Sequence, residues 1–331
     1  MSKASDKLKI EKFVKDCMLK EYSDLDNDIA IQFVSKALES GVISKAGDAD
    51  LTEWFEKRFK PYLFILDENE YTQAAIQALR IQFGIQGTDF GSSRQRDMGQ
   101  KWTDTIRGYL GELGFKQVMK SKFNIDINLG HAPGKLEDYL PLDIHGIREN
   151  MNQEYRKPNI NISIKTIKSN GIWLDIPGNQ FAHSDIHLSC SIGIDVDHLF
   201  GFFKHLSVFQ DKILKRGLDL KIINQGEADE IYNKVPSFKK VYGYIPGFVN
   251  NTSYVNSYVY DGKLGRKNYL IKNWTGKYEL SYLDTIKKNE GASKVQFAGI
   301  GEFTQSSRHL FGLKSLKHSD LDWKNEILQK I

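Results

Sequence analysis

The chain has 331 residues, of which 40% are hydrophobic and 27% are charged, as in an ordinary globular protein. No apolar run reaches the roughly 20 residues of a membrane-spanning helix, and the first residues show no secretory-signal pattern. The two distant cysteines do not suggest a disulfide scaffold, so we expect a cytoplasmic protein with no membrane partner, whose net charge of +4 tolerates a polyanionic ligand without requiring one.

Residues 1–84 are predicted to form an N-terminal helical region. Apolar residues recur at helical spacing in the first pattern, and two further patterns end at Pro61 and Gly84, which are common helix terminators. We assign these apolar faces to core packing and no chemistry to them.

Residues 84–102 are rich in glycine, serine and arginine and are predicted to be a loop. Three basic residues, Arg94, Arg96 and Lys101, lie just ahead of a helix predicted from Thr103 or Asp104 onward. The inward face predicted for this helix carries Ile106, Leu110, Leu113 and either Gln117 or Val118. Arginines in such a loop are suited to contact phosphates or guanine edges of DNA. A solvated basic loop explains them equally well.

Five short strand-like runs follow the helix, between residues 124 and 194, and a further helical pattern comes after them. From about residue 240 the chain is again rich in strand patterns. The predicted organisation is a core over residues 85–210 and a β-rich region over 211–331, which need not be separate from the core.

The run from 160 to 165 alternates apolar isoleucines with polar residues, which places Ser163 and Lys165 on one strand face. The preceding strand carries Asp143 on its own polar face, and the helix upstream carries Glu112. If the two strands pair as a hairpin, these side chains can converge on one point. The alternative is a sheet with one exposed face, on which Lys165 is an ordinary surface lysine.

Two carboxylates and a lysine suit phosphodiester hydrolysis. Carboxylate oxygens bind Mg²⁺, which lowers the pKa of a bound water and offsets charge on phosphate. Asp143 is the predicted principal ligand, with Glu112 as the second acid and the carbonyl of Ile164 as a further ligand. Lys165 would orient the attacking water or stabilise the transition state.

The motifs "GELGF", "LPLDI" and "ISIKT" together resemble the PD-(D/E)xK nuclease superfamily, over roughly residues 103–200. The family's proline–aspartate pair is interrupted here by Leu142. Ser163 stands where the family usually carries an acid, so a second ligand must come from elsewhere. Glu112 is the first candidate for that acid, with Asp175 and Asp185 in reserve.

The resemblance implies an α/β fold with a restriction-endonuclease-like mixed central β-sheet flanked by helices. It further implies a Mg²⁺-dependent type II restriction enzyme that cleaves double-stranded DNA, leaves 5′-phosphates and acts as a homodimer on a palindromic site. Lys168, close to the lysine motif, joins the predicted DNA contacts.

Three other functions remain open. A non-catalytic DNA-binding protein with a decayed nuclease core would explain Ser163, and another nuclease of the superfamily, such as a repair enzyme or resolvase, would share the motifs. A purely structural protein would need no role for Lys165. Separately, His183, His187 and Cys190 raise the possibility of a zinc site, although no second cysteine pair accompanies them.

Overall fold

The computed structural model describes residues 4–82, 97–130, 143–252, 254, 257–264, 268–300 and 307–331. The helices are α1 (Ala4–Phe13, continued by Val14–Met18 and Leu19–Glu21), α2 (Asn27–Glu39), α3 (Asp48–Trp54, continued by Phe55–Phe59 and Lys60–Tyr62), α4 (Glu68–Gln82), α5 (Met98–Phe123), α6 (Gly178–Phe181), α7 (His198–His205), α8 (Phe209–Leu214, continued by Lys215–Asp219), α9 (Gln225–Lys234), α10 (Leu280–Glu290) and α11 (Asp320–Trp323, continued by Lys324–Leu328). Within these residues, no helix is both long and apolar enough to cross a membrane.

The strands are β1 (Leu63–Leu66), β2 (Asp126–Leu129), β3 (Ile144–Arg148), β4 (Ile162–Lys168), β5 (Trp173–Pro177), β6 (Ile186–Gly193), β7 (Val241–Asn250), β8 (Ser257–Leu264), β9 (Asn268–Glu279), β10 (Lys294–Phe297) and β11 (Ser307–Gly312). The five strand runs predicted between residues 124 and 194 correspond to β2 to β6, but β3 begins at Ile144, so Asp143 lies just before the strand and not on it as predicted.

The first sheet has the strand order β1-β7-β6-β4 and is mixed. β4 runs parallel to β6, whereas β6 and β1 are antiparallel to β7. Every residue of β6 is buried, as expected of a strand covered on both faces. Among the described strands, β4 forms one edge of this sheet, which leaves one side of its backbone available to other groups.

The second sheet has the order β10-β9-β11-β5, with β8 added on β9, and the pair β2-β3 stands apart from both. β10 is parallel to β9, and the other pairings are antiparallel. β4 and β5 are consecutive along the chain but belong to different sheets. The turn between them, residues 169–172, therefore connects the two sheets.

Helices cover both faces of the first sheet. α5 packs on one face through Ile106, Leu110, Leu113 and Val118, the inward face that the helical spacing predicts. On the other face, α1 to α3 share a core with the tyrosines of β7 at positions 242 and 244. The predicted α/β class with a mixed, helix-flanked sheet is confirmed at this level.

Several sequence predictions are wrong in detail. β3 pairs with β2, and β4 pairs with β6, so the proposed β3–β4 hairpin does not form. α5 begins earlier than predicted, because the side chain of Asp97 accepts the backbone N–H of Gln100.

Residues 63–66, inside the segment predicted to be helical, form β1 instead, and the side-chain amide of Gln117 hydrogen-bonds both the N–H and the C=O of Ile65. The first sheet thus draws strands from all three predicted segments, through β1, β4, β6 and β7.

Candidate active site

The Gly-Glu-Leu-Gly segment of α5 lies unusually close to the first sheet. A Cβ added at Gly111 would lie 1.9 Å from Thr166 Oγ1 on β4. The Thr166 hydroxyl donates to the carbonyl of Gly108, at 3.3 Å. Because Gly111 has no side chain, the helix can approach the edge strand β4 closely. This approach brings the neighbouring residue, Glu112, close to Lys165 of the same strand.

Asp143 lies just before β3 and binds the free edge of β4. Its Oδ2 accepts the backbone N–H of Ile164 at 2.5 Å, and the Ser163 hydroxyl also donates to this carboxylate. The N–H and C=O of one strand residue point to the same side. The Ile164 carbonyl therefore also points towards the side of β4 on which Asp143 lies.

The charges of Glu112, Asp143 and Lys165 act on one another. Burial, followed by repulsion from Glu112, raises the pKa of Asp143 to about 7, while Lys165, the Ile164 N–H and Ser163 oppose this increase. Burial raises the pKa of Glu112 to about 8, and Lys165 again opposes the increase. Glu112 and Asp143 keep some contact with solvent, yet their carboxyl groups are closely surrounded by protein atoms.

The three predicted residues are thus brought together from three elements. Glu112 comes from α5, Asp143 from the segment before β3, and Lys165 from β4. The expectation of a β3–β4 hairpin was wrong, but a direct side-chain-to-backbone bond achieves the same approach. Ser163 does not replace the missing acid as a ligand; it donates a hydrogen bond to the acid that is present.

Lys165 has a neighbour that the sequence did not reveal. Its Nζ donates to the side-chain oxygen of Gln180, on α6, at 3.1 Å. Gln180 belongs to a four-residue helix after β5 and matches no motif identified above. Only the tertiary structure brings it to the lysine.

The oxygen atoms at this site fit a magnesium ion. Repulsion from Glu112 raises the pKa of Asp143, and a cation near both carboxylates would relieve this repulsion. Mg²⁺ commonly binds through one or two carboxylates while keeping several waters. Within the described part of the chain, no group of three or more His, Cys, Asp or Glu side chains is arranged to hold a metal. The oxygen donors at this site that could hold the ion are those of Asp143, Glu112 and the carbonyl of Ile164.

The two reserve acids are engaged elsewhere. Asp175 forms a two-point ion pair with Arg308, one of whose contacts is 2.6 Å long. Burial raises the pKa of Asp175, and Arg308 opposes the increase. Asp185 accepts the backbone N–H of Asn161 at 2.8 Å. Glu112 therefore remains the candidate for the second acid.

The possible zinc residues do not converge. His187 is fully buried and bonds the carbonyl of Phe181 through Nε2 at 2.9 Å, while burial lowers the pKa of its imidazole to about 4. Cys190, on the opposite face of β6, donates its thiol to the carbonyl of Gly111. His183 is exposed. These positions indicate packing roles for His187 and Cys190.

Two of the four predicted DNA contacts, Lys101 and Lys168, belong to the part of the chain that the structure describes. Arg94 and Arg96 lie outside the described residues. Lys101 is partly exposed near the start of α5, about 16 Å before Glu112 along the helix axis. Lys168 is largely exposed at the end of β4. Partial burial of its ammonium group, together with the charge of Arg107, lowers its pKa.

An open groove of about 380 Å³ adjoins Lys165 and is lined by residues of β4 and β5, which belong to different sheets. One wall is the turn between β4 and β5, including Asn170 and Gly171, and the other wall is formed by residues 298–300. Lys168 lies on its rim. The charged residues that line the groove are the two lysines of β4, Lys165 and Lys168, together with Asp175.

Comparisons with protein-family models, with curated proteins and with solved structures find no match to this chain.

Proposed function

We propose that this protein is a Mg²⁺-dependent, sequence-specific endonuclease of double-stranded DNA, of the type II restriction class. The observation that supports the proposal most directly is the meeting of Glu112, Asp143 and Lys165 at the edge of a mixed sheet. A restriction-endonuclease-like arrangement of that sheet is part of the proposal, and the PD-(D/E)xK motifs are its sequence basis.

Each residue has a definite role in the proposed reaction. Asp143, Glu112 and the carbonyl of Ile164 would hold Mg²⁺, which supplies positive charge next to the phosphate and lowers the pKa of a bound water. Ser163 and the Ile164 N–H fix the orientation of the Asp143 carboxylate. Lys165 supplies a cation that orients the attacking water and offsets the negative charge that develops on the phosphate oxygens.

In this proposal, one strand of DNA would lie along the groove that Lys165 and Lys168 line. Lys168 on its rim and Lys101 on α5 would contact phosphates and position the duplex. By the same resemblance, the products carry 5′-phosphates and the active form is a homodimer on a palindromic site. The surrounding β-rich region would supply much of the sequence recognition.

The test is digestion of a long DNA of known sequence, with Mg²⁺ or with EDTA. The variants are Lys165→Met, which removes the charge at similar length, and Lys234→Met, which makes the same change on an exposed helix away from the site. We expect discrete fragments with the wild type and with Lys234→Met, and none with Lys165→Met or EDTA. Intact DNA with folded wild-type protein, across several salt concentrations and with Mn²⁺ as well, would refute the catalytic proposal.

One observation favours a second candidate, a non-catalytic DNA-binding protein. Ser163 leaves two carboxylates at the site, and no third acid joins them among the described residues. Tight, salt-sensitive DNA binding without cleavage would support this candidate. Cleavage that follows DNA structure instead of sequence would indicate a repair enzyme or a resolvase.

A further inference from the structure

We infer that Gln180 is the positioning residue of Lys165: its side-chain oxygen holds the lysine ammonium in place for the nuclease reaction proposed above, on which this role rests. The contact is the 3.1 Å hydrogen bond from Lys165 Nζ. Lysine carries its charge on a flexible four-carbon chain, so a defined ammonium position requires a partner.

An amide is well suited to this task. The Gln180 oxygen accepts a hydrogen bond but carries no formal charge, whereas a carboxylate would also hold the ammonium but would partly offset the charge that the reaction uses. The ammonium has three donors, so the bond to Gln180 leaves two directions for water or phosphate.

Gln180 itself is held by a buried aromatic stack. The neighbouring ring of Phe181 lies between two imidazoles, with ring-centre distances of 3.8 Å to His309 and 5.1 Å to His187. His187 also bonds the Phe181 carbonyl. These contacts hold both the ring and the backbone carbonyl of Phe181. They therefore also hold the backbone of the neighbouring residue, Gln180.

The stack is also tied to the strand that carries the lysine. In the parallel pairing of β4 with β6, His187 lies opposite Ser163, two residues before Lys165. His309 belongs to β11, in the second sheet. The helix α6 thus contacts both sheets through Phe181, and Gln180 reaches Lys165 from a segment that is bonded to β6, the strand paired with β4.

The first experiment compares three variants in steady-state cleavage. Gln180→Met removes the acceptor at similar length, Gln180→Glu keeps an acceptor oxygen, and Gln225→Met is the same change at an exposed glutamine on α9. We expect Gln180→Met to lower kcat about tenfold with KM within about twofold of the wild type, because a misplaced catalytic group affects the chemical step. Gln180→Glu should keep more activity than Gln180→Met, and Gln225→Met should behave as the wild type.

A second measurement does not depend on cleavage. Brief acetylation with acetic anhydride, read by mass spectrometry, reports how accessible each lysine amine is. We expect Gln180→Met to increase the labelling of Lys165 several-fold relative to the other lysines, with an unchanged melting temperature. Unchanged labelling of Lys165, or a Gln180→Met variant at least as active as Gln180→Glu, would overturn the inference. If the wild type cleaves no DNA, the proposed function fails, while the labelling result still decides whether Gln180 holds Lys165.

Discussion

Substitution of Gly111 by alanine should damage both the stability and the activity of the protein. The added methyl group would lie 1.9 Å from Thr166 Oγ1 and 3.0 Å from Thr166 Cβ. An ordinary contact needs about 3.4 Å or more. The helix must therefore move away from β4 by more than an ångström locally, or the threonine must leave its position.

The magnitude follows from two opposing effects. Alanine in place of glycine stabilises a helix by about 1 kcal/mol, while overpacking a tight contact commonly costs about 1–3 kcal/mol. A 1.9 Å approach to a branched side chain belongs at the upper end of that range. We expect a net loss of about 1–2 kcal/mol in the free energy of unfolding, together with a displaced Glu112.

The same helix provides a matched control. A Cβ at Gly108 meets no atom within 4 Å, so Gly108→Ala should gain up to about 1 kcal/mol from helix propensity. Urea unfolding of the two variants measures the difference, and a cleavage assay reports the displacement of Glu112. The double variant Gly111→Ala/Thr166→Ala should recover part of both losses. The reasoning is refuted if Gly111→Ala proves as stable as Gly108→Ala and cleaves DNA as the wild type does.

Further predictions follow from the charges of the site. Cleavage at limiting Mg²⁺ should increase from pH 6 to pH 9. The ion must displace protons from Asp143 and Glu112, whose pKa values are about 7 and 8. A flat pH profile would contradict this prediction. Without metal, the folded protein binds the Asp143 proton more tightly than the unfolded chain does, because the pKa of Asp143 is raised to about 7 on folding. This stabilises the folded state at acid pH, and the stabilisation is lost as the pH rises towards 7. Asp143→Asn should therefore abolish cleavage yet stabilise the metal-free protein at pH 8 by at least about 1 kcal/mol, a gain that vanishes near pH 4 in thermal unfolding. Arg308→Met should destabilise the fold by roughly 3 kcal/mol by leaving Asp175 uncompensated, and an unchanged melting temperature would show that this ion pair contributes little. Lys168→Ala should lower the slope of log affinity against log salt by about 1 if this residue contacts a phosphate, as measured by fluorescence anisotropy with DNA.

The tertiary structure explains one motif differently from its sequence interpretation. Glycine at position 111 attracted notice only as part of a family pattern. Its physical role is the close approach of α5 to Thr166, which places Glu112 at the edge of the sheet. A variant that keeps the acid but fills this contact is therefore expected to lose function.

Local patterns alone were sufficient to predict β2 to β6 and the buried face of α5. Alternation with a period of two and apolar spacing near 3.6 residues depend only on neighbouring side chains, so they can be read along the chain. The grouping of Asp143 and Lys165 was also anticipated, from the polar faces of two successive predicted strands, although Asp143 in fact lies just before β3.

Strand pairing and the surroundings of Lys165 depended on contacts between distant segments. β4 pairs with β6 instead of β3, β1 is a short strand completed by β7, and Gln180 reaches the lysine from α6. Backbone hydrogen bonds can form with any adjacent strand, so the sequence of one strand does not specify which strand it pairs with. Periodicity therefore determined which residues turn inward or outward, while packing of the two sheets and α5 decided which of them meet.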